Sequence, residues 1–225
     1  NSLKILVVGD VMVDSYLFGK VDRISPEAPV PVVALEKRES RLGGAANVAL
    51  NLKSMGASVS VASVIGNDEH GKNLLQLFEL QNIDTAGIIS SSGRRTTVKH
   101  RVIGNNLQLL RVDDEITTEI LPEEDEAMIS FISENAADFD ALIFEDYDKG
   151  VLHSGNINKI IAICEKAGIP TIVDPKKRNF LAYKKATLFK PNLKEIKEGL
   201  KIDGDLKEEK ALKAAVRQMD ELLQN

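Results

Sequence analysis

"KILVVGD", residues 4–10, is a run of apolar side chains closed by a glycine and an acid. It is too short for a helix, and it has no polar residue on alternate positions to face water. Such a run reads as a strand buried on both faces, the signature of a parallel sheet covered by helices on each side. Four further runs have the same character: "SVSVASVIG" (58–66), "ALIFED" (141–146), "TIVDP" (171–175) and "TLFKPN" (187–192). Helical periodicity lies between them, near 44–55, 69–81, 122–136, 154–167 and 193–200, and again in an amphipathic tail at 205–224. Strand and helix in alternation predict an α/β fold of three layers, α/β/α, with a mostly parallel central sheet. Several strands end in polar residues: Gly9-Asp10, Glu145-Asp146, Asp174-Pro175 and Pro191-Asn192. Ligands of open α/β sheets bind beyond the carboxyl ends of the strands, so these positions mark the expected site.

Two segments break the rhythm. Residues 14–40 hold three prolines and no helical period, and 94–113 read as two extended arms around "GNN", a turn signal. They are either surface excursions or the strands of a small β-sheet lid over the site. The whole chain, 1–225, is read as one domain carrying this lid.

Composition narrows the function. A net charge of −5 argues against a general nucleic-acid binder, and 43% hydrophobic with 28% charged residues is ordinary for a globular protein. The single cysteine, Cys164, sits on an apolar helical face and reads as inert core. No apolar stretch reaches the ~20 residues of a membrane helix. No basic leader precedes the first strand, so a cytoplasmic location is expected.

The candidate site residues fall into groups. In "RLGGAANVAL" (41–50), Gly43 and Gly44 precede a helical run with Asn47 in its first turn. Helix-start N–H groups are unpaired, and glycine lets a ligand come close to them; the same pair also fits a plain turn. Asp14, four residues beyond the Asp10 strand end, can share a pocket with Asn47 and hold adjacent sugar hydroxyls. The second arm pair carries Arg94, Arg95, Lys99, His100, Arg101 and Arg111. Lys99 and Arg101 share a strand face and suit a phosphate, unless the charges only protect an edge strand. His100 points the other way and is read as structural or solvent-facing. "EDYDKG" (145–150) and "KPNLKE" (190–195) end two strands. Asn192 with Glu195 three residues on can be a helix cap, or can order metal-bound water near nucleotide phosphates.

In order, "GGAANVA" and "PNLKE" resemble the signatures of the ribokinase-like (phosphofructokinase-B type) sugar kinases. "GDVMVDSYLFGKVDRISPEAPVPVV", "LGGAANVALNLKSMGA", "RTTVKHRVIGNNLQLLRVDDE" and "DYDKGVL…DPKK…KPNLKE" are similar to the heptose 7-phosphate kinase branch, over residues 3 to about 200. The resemblance implies phosphorylation of D-glycero-β-D-manno-heptose 7-phosphate at O1 with ATP and Mg²⁺, giving the 1,7-bisphosphate on the route to ADP-heptose and lipopolysaccharide core. It implies sugar contacts from Asp14, Gly43, Gly44, Asn47 and Asp146, and sugar or phosphate contacts from Lys99, Arg101, Gln108 and Arg111. Lys176, Asn192 and Glu195 fall on the nucleotide and Mg²⁺ side, with no direct metal ligand assigned. A homodimer through the lid is expected, and a nucleotidyltransferase domain follows the kinase in some members of the branch.

The family also carries a later Gly-Ala-Gly-Asp segment whose Asp is the catalytic base, and nothing after Glu195 resembles it. The expectation is therefore a C-terminally incomplete kinase domain with no catalytic residue to assign and little or no turnover by itself. Two other readings remain open: a ribokinase-like kinase of a different sugar or nucleoside, and a non-catalytic sugar-phosphate-binding module.

Overall fold

The computed structural model describes residues 2–224. In chain order the first five strands are β1 (Lys4–Gly9), β2 (Val11–Ile24), β3 (Pro31–Gly44), β4 (Ser58–Gly66) and β5 (Asp84–Ser91). The remainder are β6 (Val98–Gly104), β7 (Leu107–Asp114), β8 (Ala141–Glu145), β9 (Thr171–Asp174) and β10 (Leu188–Phe189). The helices are α1 (Ala45–Ser54), α2 (Glu69–Leu80), α3 (Pro122–Asn135), α4 (Ser154–Ala167), α5 (Leu193–Leu200) and α6 (Glu209–Leu223).

Six strands form the central sheet in the order β10-β9-β8-β1-β4-β5, and every described pairing in it is parallel. The alternation along β1 explains the layers. Leu6 and Val8 face one core with Met128 and Ile132 of α3 and Ile157, Ile160, Ile161 and Cys164 of α4. Ile5 and Val7 face the other, with Ala45, Ala46 and Ala49 of α1 and Leu74 and Phe78 of α2. Burial of each such large side chain contributes roughly 1.5–3 kcal/mol, so both faces of β1 hold the sandwich together. A third cluster, including Phe180, Ile196, Leu200 and Met219, seats α5 against α6. Cys164 is wholly buried and burial pushes its thiol up to about 11, as expected of an inert core residue.

The chain leaves β1 toward β4 and β5 on one side and later fills β8, β9 and β10 on the other. The direction therefore switches between β1 and β8, and the crevice at their carboxyl ends is where such sheets bind ligands. Strand β5 was not legible as a strand. It is an edge strand with only Gly87 and Ser91 buried, so it lacks the apolar run that marked the others.

The two irregular segments pair into a four-stranded sheet, β3-β2-β6-β7. Its strands extend beyond residues 14–40, down to Val11 and up to Gly44, because Val11 pairs with Gly44 and Met12 with Gly43. Strands β6 and β7 form the expected hairpin, with Asn105 and Asn106 at positive φ in its two-residue turn. The Asn105 amide donates to the Val21 carbonyl oxygen at 3.0 Å and so ties the hairpin tip to β2.

Candidate active site

At the switch point, Asp10 follows β1 directly and is 1% exposed. Its Oδ2 accepts backbone N–H bonds from Tyr147 (2.8 Å) and Lys149 (3.1 Å), and its Oδ1 accepts one from Val151 (3.1 Å). This carboxylate organises the loop after β8. Burial first, and the nearby Asp146 second, raise its pKa to about 6, against the pull of the three N–H donors.

Helix α1 begins beside it, with the Ala45 N–H donating to the Asp10 carbonyl oxygen at 3.0 Å. Whereas α2 and α5 are capped by the side chains of Asp68 and Asn192, α1 has no side-chain cap. Gly44 stands at φ 58°, ψ −135°, and a Cβ there would lie 2.5 Å from the Asp10 carbonyl oxygen. Gly44→Ala is accordingly expected to lower stability by about 2–3 kcal/mol, read as a shifted urea midpoint. At Gly43 an added Cβ would lie 2.8 Å from Asp14 Oδ2, so the Asp14 carboxylate rests directly on the helix-start backbone. Its other oxygen, Oδ1, accepts from Arg101 Nη1 at 2.6 Å. Asn47 is exposed in the first turn of α1. Asp14, Gly43, Gly44 and Arg101 therefore lie together, with Asn47 on the same helix start.

Lys99 pairs with Asp14 and Arg101 with Tyr16 across β2 and β6, so both basic side chains share the Asp14 face. The guanidinium carbons of Arg101 and Arg41 lie 5.2 and 4.8 Å from the Tyr16 ring centroid. Arg111 sits opposite Arg101 and forks onto Asp113, with Nε–Oδ1 at 2.9 Å and Nη2–Oδ2 at 3.1 Å. Gln108 is exposed near the hairpin tip, opposite Ile103, farther along the lid than Arg111. His100, on the other face, packs edgewise on His70 with ring centroids 5.8 Å apart.

Asp146 follows β8 directly. It is 1% exposed; its Oδ2 accepts from Asn179 Nδ2 and Tyr183 Oη, both at 2.9 Å, and its Oδ1 from the Asp148 N–H at 2.9 Å. Its carboxylate is turned inward beside Asp10 and anchors the loop. Glu145 pairs across β8 and β9 with Asp174. Burial, then Asp174, raises the Glu145 carboxyl to about 7, with Lys176 and Lys190 opposing.

On that side, Asn192 Oδ1 accepts from the N–H groups of Lys194 (2.9 Å) and Glu195 (3.0 Å), and Glu195 Oε2 accepts from the Asn192 N–H (2.8 Å). This is a reciprocal helix cap. Glu195 Oε1 in addition accepts from Lys176 Nζ at 2.6 Å, and Lys176 also reaches Asp174 Oδ1 at 3.1 Å. Capping leaves a carboxylate and an ammonium converging at the strand ends, so the structural role does not exclude a ligand role. Among the described residues no three His, Cys, Asp or Glu side chains converge as a metal-ligand set, so Glu145, Asp174 and Glu195 could meet a Mg²⁺ ion, which keeps several waters, only singly or through those waters. A nearby cation would also oppose the burial and the Asp174 charge that raise the Glu145 carboxyl. Sequence reasoning named Glu145 and Asp174 only as strand ends and missed Asp113 and Glu115; the acid run "VDDE" (112–115) directly behind the basic arms was the available signal.

A model of the family described as pfkB family carbohydrate kinase matches residues 2–224. The "Bifunctional protein HldE" of Geobacter sulfurreducens is 43% identical over 195 residues, 87% of this chain and 40% of that protein. Its namesake from Sulfurimonas denitrificans is 42% identical over 216 residues, 96% of this chain and 45% of that protein. The chain thus spans less than half the length of these curated relatives. Among solved structures, the tetrameric inhibited form of phosphofructokinase-2 from Escherichia coli aligns with a TM-score of 0.73 at 17% identity, over 98% of this chain and 70% of that one. Arabidopsis thaliana ribokinase complexed with ribose and ATP aligns at 0.67 and 12% identity, over 99% and 70%. Those two likenesses speak for the fold, which is ribokinase-like. Since the family match runs almost from end to end and the relatives exceed 40% identity, the chain belongs to the pfkB family of carbohydrate kinases.

Proposed function

We propose that this chain holds the sugar-phosphate site of a kinase that uses ATP to phosphorylate D-glycero-β-D-manno-heptose 7-phosphate at O1, toward ADP-heptose and lipopolysaccharide core. The observation that carries the reading is the placement of Asp14 against the Gly43 backbone with Arg101 bonded to it at 2.6 Å and Lys99 on the same lid face. A carboxylate at a helix start suits vicinal hydroxyls, and the cations beyond it suit a phosphate at the far end of the sugar. Names of relatives support the heptose: proteins called HldE match most of this chain at above 40% identity.

On the nucleotide side, Lys176 would meet ATP phosphates, and Asn192 and Glu195 would hold waters of a Mg²⁺ ion, which supplies charge neutralisation to the phosphates when bound. The lid exposes Leu35, Leu107, Leu109, Leu110 and Val112, which suits pairing with a second lid in a homodimer. Dependence on ATP fits a cytoplasmic setting.

Calorimetric titration with heptose 7-phosphate, fructose 6-phosphate and ribose tests the substrate. Selective binding of the heptose phosphate is expected; a better fit for an unphosphorylated sugar would point to another kinase of the fold. The 225 residues include no Gly-Ala-Gly-Asp segment. As a separate polypeptide they are expected to bind sugar phosphate without measurable transfer from ATP, the behaviour of a binding module. Robust ATP-dependent turnover by that polypeptide would overturn the expectation.

A further inference from the structure

The cations expected to meet the phosphate are already engaged with acids of the same chain. Arg111 forks onto Asp113, whose Oδ2 also lies 3.6 Å from Lys99 Nζ. Glu115, just past β7, accepts from Lys149 Nζ through Oε1 at 2.9 Å and turns Oε2 toward Lys99 at 3.9 Å. That Oε2 is closed off from solvent and accepts no hydrogen bond. Lys99 therefore stands between two carboxylates at distances longer than the roughly 2.7–2.9 Å of a charge-assisted hydrogen bond. Lys99, Glu115 and Lys149 are all sheltered, with 18%, 22% and 16% of their side chains exposed. Lys149 enters from the core loop that Asp10 holds, so the cluster also joins the lid to the strand ends.

We propose that Asp113 and Glu115 are specificity-determining residues that stand in for the ligand's anion, holding Lys99, Arg111 and Lys149 in place and setting the charge a ligand must carry to take them over. The proposal rests on the reading of this face as a sugar-phosphate site. A neutral hydroxyl offers these cations less than the carboxylates do. A singly charged ligand only exchanges one negative charge for another. A phosphate monoester near neutral pH brings close to two charges and three acceptor oxygens, and it gains where the others do not. Half-exposed pairs such as Arg111–Asp113 are weak enough to be exchanged. The unpartnered Glu115 oxygen is the point at which the stand-in fits worst.

The test compares heptose 7-phosphate with its 7-sulfate ester, which has the same shape and one charge, at pH 8 by calorimetry. The unaltered chain is expected to prefer the phosphate by about tenfold. Asp113→Asn should bind both esters more tightly, by roughly three- to tenfold for the sulfate, and narrow the preference to about threefold. Glu115→Gln should act in the same direction and decides the matter if the first variant does not fold. Were either folded variant to bind more weakly, or both to keep the original preference, the proposal would be overturned while the sugar-phosphate reading stood. An unaltered chain that bound free heptose as well as the phosphate would remove the reading itself, and this proposal with it.

Discussion

Asp14→Ala is expected to weaken sugar binding by at least about 100-fold while leaving the chain folded. The carboxylate lies against Gly43, where an added Cβ would be 2.8 Å from it, and so stands at the start of α1. Hydrogen bonds to a charged group contribute about 1.5–3 kcal/mol each, and a sugar can offer two hydroxyls there. Removing Asp14 also leaves Arg101 without its 2.6 Å carboxylate partner, with only the Tyr16 ring, 5.2 Å from its guanidinium carbon, left to hold it on that face. The Asp14 side chain is 22% exposed, so water reaches the freed guanidinium only in part, and the cost to folding should be about 1–2 kcal/mol. Calorimetric titration gives the first number and a urea melt the second. Unchanged binding would place the sugar elsewhere.

A second substitution, Asp10→Ala, should act on the fold instead, costing about 3–5 kcal/mol. It strips the acceptors from three N–H groups at once, those of Tyr147 and Lys149, which are part-buried, and of Val151, which is buried. Each unsatisfied donor costs about 1–3 kcal/mol, and relief of the repulsion from Asp146 offsets part of the sum. The urea midpoint measures it, and a loss under about 1 kcal/mol would mean that the loop is held by something else. The pH dependence has a definite sign. Because the folded value is raised to about 6, the native state binds the proton more tightly than the unfolded chain. The stability from this group is fully present below about pH 4 and is lost as pH rises through 6. Glu145, raised to about 7, continues the decline to that pH. Melts of Asp10→Asn across pH 4–7 should show a shallower fall than those of the unaltered chain.

What was legible in the sequence followed from pattern strength. Buried strands such as β1 and β4 are built around runs of Val, Ile, Leu and Ala, and α4 carries its apolar residues at helical spacing, so their bounds agree with the structure to within a residue or so. The weakly patterned edge β5 escaped because it buries almost nothing. At the site, residues that act through the backbone near their own position could be read locally, as with Gly43, Gly44 and the Asn192–Glu195 cap. Asp146 could not, since whether a strand-end acid faces solvent or turns inward depends on Asn179 and Tyr183, more than thirty residues away. The same distance in sequence hides the meeting of Lys149 with Glu115.

Strand β2 starts one residue after β1 ends, and β3 runs without a break into α1, so no linker separates the lid from the core. Each of these strands has 14 residues, a length of roughly 45 Å at about 3.3 Å per residue. The lid is thus a cantilever, and its clamped root is where Asp14 and Gly43 lie. Pairing is regular from Val11 to Phe18, while the register slips between Phe18 and Gly19 and again between Val21 and Arg23. A load on the tip should bend the beam at those slips and leave the root stiff. Mutational tolerance ought to divide at the same point: substitutions beyond Gly19 can accumulate with little effect on the sugar contacts, whereas those between Val11 and Phe18 cannot.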